Sequence, residues 1–145
     1  MISPDVWLNE MYSFAELICD TEAIRLAWIE KDYSRTPVKD FDELWMEAID
    51  GMDADFFEYD MLTSSIVTPV QKFALAEFLA AMRLVRLVAE RGRCTASNME
   101  VRNDKDLLQT VSWKKMQDAS AKLVRELEDW KELKSLRNED LLEDW

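Results

Sequence analysis

Histidine is absent from this chain, and its 145 residues include only two glycines and three prolines. Without imidazole there is no Ser-His-Asp or Cys-His nucleophile, no HExxH zinc site and no histidine acid–base chemistry. The Glu-x-x-His di-iron pattern of helical bundles is excluded for the same reason. Two lone cysteines, Cys19 and Cys94, make neither a tetrahedral zinc site nor a disulfide framework. Two glycines cannot build a phosphate-cradling loop. They also cannot supply the turns of a β-rich fold, which need clusters of Gly, Pro, Asn and Asp.

Positive charge is scarce as well. Thirty acids against 18 bases leave a net charge of −12, with a pI near 4.4. That balance argues against direct nucleic-acid binding and against docking on anionic lipid, since both need a basic face. It favours steering toward a basic protein surface. The start, MISPDVWLNE, has no basic segment followed by an apolar one, so a cytoplasmic location is expected.

What is present is long helical periodicity. Apolar residues make up 48% of the chain and charged residues 33%, the balance of a globular protein. Ser3, Pro4 and Asp5 form an N-cap, N1 and first-turn acid for a first helix. Asp20 or Thr21 caps a second apolar segment, continuous with the first or separate from it. Ser34 to Val38 is a loop, because Pro37 disfavours helix at Thr36. Asp40 or Asp42 starts a short helix that stops at Gly51. Residues 52–65 read as a loop, with Ile66-Val67 locally strand-like.

Thr68, Pro69 and Gly92 bracket the clearest helix. Between Phe73 and Ala89 it carries only Glu77, Arg83 and Arg86 as charges, so it is expected at the buried centre. Gly92 to Asn98 is a loop. The Ser97/Glu100 spacing suggests a helical turn. Asp104 is expected to cap a long C-terminal segment with a 3–4 apolar stripe, kinked or broken near residue 112. Asn138 suits the cap of a last short turn. The reading is one all-α domain, residues 1–145, with about five helices around a central helix at roughly 69–91.

Charge concentrates between Lys39 and Asp60. Nine acids against one base give −8 there, two thirds of the chain's total. Aromatic residues are threaded among the acids, offering a basic partner both charge and rigid contact area. The candidate partner-binding residues are Asp42, Glu43, Trp45, Glu47, Asp50, Asp53, Asp55, Phe56, Phe57, Glu58, Tyr59 and Asp60. A calcium loop does not fit. Counting from Asp50 puts Met52 and Ala54 at ligand positions, and counting from Asp53 puts Phe57 at one. No catalytic residue, metal or cofactor is expected. Arg83 to Lys115 holds eight bases against four acids, an internal match for the acidic segment or the opposite pole of the molecule.

The expected function is a small non-enzymatic binding protein that inhibits or shields a basic partner. In composition it is similar to immunity proteins and phage inhibitors, some of which mimic nucleic acid. One alternative is a secretion or folding chaperone. Another is an all-α nucleotide hydrolase using Mg²⁺ held by two carboxylates on one helix face, Glu43 with Glu47 or Glu47 with Asp50, and by further oxygens from elsewhere.

Overall fold

The structure is a computed structural model that describes residues 4–52, 61, 63, 65 and 67–143, with side chains of the last helix described as far as residue 128. The chain is all-α. Helix α1 spans Pro4–Cys19 and α2 spans Thr21–Trp28. They are separate helices divided by Asp20, whose carboxylate accepts the Ala23 N–H at 3.1 Å. Helix α3, Phe41–Trp45, runs on into a π-helical turn, Met46–Asp50. Helix α4 is Pro69–Arg91, and α5 is the single turn Asp104–Leu107. Helix α6, Val111–Glu143, runs through Asn138 without the break expected there.

Helix α4 has the boundaries its local chemistry dictates. Thr68 accepts from the Gln71 N–H while the Gln71 side chain accepts from the Thr68 N–H, a reciprocal capping box. Gly92 ends the helix at φ 68°, a left-handed conformation that glycine adopts without steric cost. The following loop is a two-residue-per-strand hairpin, β1 Arg93–Cys94 against β2 Met99–Glu100, with Arg93 opposite Glu100 and Cys94 opposite Met99. Glu100 therefore belongs to a strand, and the helical turn expected from Ser97 does not form.

Two further expectations change. Asn103, not Asp104, caps α5, accepting from the Asp106 N–H. Thr110 caps α6: its buried hydroxyl accepts the Trp113 N–H at 3.1 Å and donates to the Leu107 carbonyl at 2.7 Å. The irregularity near Ser112 is thus a break between two helices just ahead of it.

Helix α6 packs along α4 and α1. The core joins Trp7, Leu8, Met11 and Ile18 of α1 to Leu75, Phe78, Leu79 and Met82 of α4 and to Met116, Leu123 and Leu127 of α6. Burying each such side chain contributes about 1.5–3 kcal/mol. Helix α4 is buried on one face only. Val70, Phe73, Leu84 and Leu87 are 39–59% exposed, so its apolar content exceeds what its neighbours cover. Trp7 and Trp28 are core residues, as their spacing predicts; Trp130 lies outside the described side chains. Cys19 and Cys94 are both free thiols.

Candidate partner-binding site

The acidic stretch begins with a cap. Asp40 has extended backbone, and its carboxylate accepts the Glu43 N–H at 2.8 Å. Glu43 reaches back to the Lys39 N–H at 3.3 Å. Both carboxylates thereby lie at the positive end of α3. Phe41 then anchors the helix. It is 1% exposed and meets Trp28 and Trp113 edge-on, each at 6.5 Å between centroids. Leu44, Ala48 and Ile49 continue the buried face. At the far end the Trp7 indole N–H donates to the Met52 carbonyl at 3.0 Å. The segment is therefore held at both ends by the core.

Between these anchors the backbone widens into the π turn. The Gly51 N–H reaches the Met46 carbonyl at 2.6 Å. Gly51 itself has φ −68°, so left-handed freedom is not why glycine is there. A Cβ would lie 3.1 Å from the Met46 oxygen and 3.2 Å from the Glu47 oxygen, tighter than an ordinary contact. Close backbone approach is the reason for this glycine.

The outward side chains divide into two groups. Asp42 is exposed but forms an ion pair with Arg86, which also holds Glu90 at 3.0 Å. The same guanidinium lies 5.6 Å from the Trp45 ring centroid. Trp45 is half-buried against the core. Asp42, Glu43 and Trp45 therefore have internal partners. Glu47 and Asp50 are exposed and have no ion-pair partner among the described residues. Met46 projects beside them, 61% exposed. Partial burial raises the Glu47 carboxyl above its ordinary value, and the neighbouring Glu43 charge adds to this. Asp53, Asp55, Phe56, Phe57, Glu58, Tyr59 and Asp60 lie outside the described residues.

The fold adds a carboxylate that linear spacing does not reveal. Asp104, at the first position of α5, accepts the Phe41 N–H at 3.4 Å. Burial raises its carboxyl above the ordinary range, and the charges of Asp40 and Asp42 push the same way, opposed by the Phe41 hydrogen bond and Lys31. A cleft of about 380 Å³ opens on one side of Asp104, toward Arg86 and Glu90. A second of about 490 Å³ opens toward Lys31 and Asp40. Both mix acids with bases. Among the described residues no group of three or more His, Cys, Asp or Glu could hold a metal ion. Such a surface offers carboxylate oxygens to a cationic side chain.

Elsewhere, burial and hydrogen bonding act in opposite directions on the thiol of Cys94. Burial pushes it up, but contacts with Ser112 (Sγ to Oγ 3.4 Å) and Ser97 outweigh that and bring it to about 7. No helix among the described residues is long and apolar enough to cross a membrane. The bases of the 83–115 region are partly spent internally, Arg86 on Asp42 and Glu90 and Arg102 on Asp106 at 3.4 Å. No protein-family model, curated protein or solved structure matches the chain.

Proposed function

We propose that this protein binds a basic partner protein without catalysing a reaction, and in doing so inhibits or shields it. The reading rests on one observation: Glu47 and Asp50 are exposed, without an ion-pair partner among the described residues, beside an exposed Met46 on a turn anchored to the core at both ends. Rigid carboxylates next to an apolar contact suit a surface rich in Lys and Arg. The π geometry adds support, because single π turns recur at functional sites. The net charge of −12 would speed encounter with a cationic partner.

The test is capture from an extract of the native host at low and high salt, with the retained protein identified. A basic protein should be held at low salt and released at high salt. Glu47→Gln with Asp50→Asn should weaken its binding about tenfold or more, with helicity unchanged by circular dichroism. Binding that survives both the salt and the double substitution would overturn the proposal.

A chaperone is the second reading, supported by the exposed stripe Val70, Phe73, Leu84 and Leu87 on α4. It predicts salt-tolerant capture of one unfolded segment, lost in Phe73→Ser and unaffected by Glu47→Gln.

A further inference from the structure

Away from the acidic turn, a cleft of about 300 Å³ lies between α2 and the start of α6. Its apolar lining comes from Ile24, Trp113 and Leu108, of which Ile24 is 1% and Trp113 2% exposed. Its charged groups are Arg25, Lys105 and Lys114, and none of the described residues lining it is acidic. In a chain with 30 acids and 18 bases, that is a local reversal of sign. Arg25 is already matched by Glu22 and by Glu30 at 2.8 Å. Lys105 and Lys114 are exposed and have no ion-pair partner among the described residues.

We propose that this cleft binds a small amphipathic anion, an apolar body with a single carboxylate-like head. The volume sets the size. At the roughly 30 Å³ that one water takes in the liquid, it holds about ten non-hydrogen atoms. A nucleotide is too large. The apolar walls receive the body, and the two lysines hold the head. Ile29, 38% exposed at the edge, is apolar surface that such a ligand would cover.

The walls are pre-formed. Trp113 is held edge-on by Trp28 at 5.4 Å and by Phe41 at 6.5 Å. The Gln117 amide donates to the Ile18 carbonyl and to the Thr21 hydroxyl, both at 3.1 Å, tying α6 to the α1–α2 junction. A pocket that needs no reorganisation spends little of its binding energy on ordering. The inference is independent of the acidic turn, since neither Glu47 nor Asp50 lines this cleft.

Octanoate is a suitable probe, with 1-octanol as its uncharged counterpart and octylammonium as its opposite in charge. Calorimetric titration of the full chain should show one octanoate per protein, octanol about tenfold weaker and octylammonium weaker still. Lys105→Gln with Lys114→Gln should weaken octanoate about tenfold and leave octanol unchanged. Ile29→Trp, at an exposed position, should fill the mouth and abolish both. Circular dichroism of each variant checks that it folds. Three results would overturn the proposal: no saturable octanoate binding, octanol binding as tightly as octanoate, or full octanoate affinity in the double lysine variant.

Discussion

The two halves of one acidic helix differ in what their charges face. In α3, Asp40 and Glu43 cap backbone N–H groups, and Asp42 is paired with Arg86. In the π turn that follows, Glu47 and Asp50 face water without a described ion-pair partner, next to an exposed Met46. Composition makes the two halves look alike, but one uses its acids to hold the fold and the other exposes them. Acid density along a sequence is therefore a poor measure of acid available to a partner.

The sharpest break in that comparison is expected at the aromatic anchor. Phe41→Ala should lower the unfolding free energy by about 3–5 kcal/mol, because it removes a fully buried ring between two tryptophans. Met46→Ala, five residues on, should change it by no more than about 0.5 kcal/mol. Urea denaturation of both measures the contrast, and equal losses would mean the turn is as structural as the helix.

Gly51→Ala should cost about 1–3 kcal/mol, since the new methyl meets two backbone oxygens that cannot move aside cheaply. The same urea series reads it. A neutral result would show that the π turn yields easily. Asp40→Ala should cost about 1 kcal/mol through the lost cap, with no effect on partner binding beyond that of stability.

The smallest effect expected is a pH dependence at Asp104. Its folded-state carboxyl is raised above 3.8, so the native state holds the proton more tightly than the unfolded chain. Stability from this group is therefore present below the ordinary value and lost as pH rises through the raised one. Asp104→Asn should stabilise by a few tenths of a kcal/mol near pH 7, a small figure because the group is partly solvated and screened. It should do nothing near pH 3. Urea midpoints at the two pH values decide the sign. Destabilisation at neutral pH would show that the Phe41 N–H contact outweighs burial and the acidic neighbours.

Features were legible in the sequence where a few adjacent residues settle the outcome. Thr68, Pro69 and Gly92 bound α4 because capping and left-handed glycine are local chemistry. Asp40 caps α3 for the same reason. The hairpin at Arg93–Glu100 was not legible, because its two-residue strands gain their pairing from being placed at the end of α4. Thr110 gives no such local signal, because its role as a cap depends on where α5 stops. The one-sided burial of α4 depends on which neighbours arrive, and its composition is apolar on both sides.

Composition and local spacing were enough for an all-α chain without histidine chemistry, and for an acidic, aromatic-bearing stretch ahead of a long capped helix. These follow from residue types and from interactions over three or four positions. Only the packed molecule decided that Asp42 would face Arg86, 44 residues away, and that Asp104 would lie against Asp40 and Asp42. Packing also turned Ile24, Leu108 and Trp113 toward one basic-rimmed cleft. Such contacts depend on how helices dock, and docking is set by the whole core.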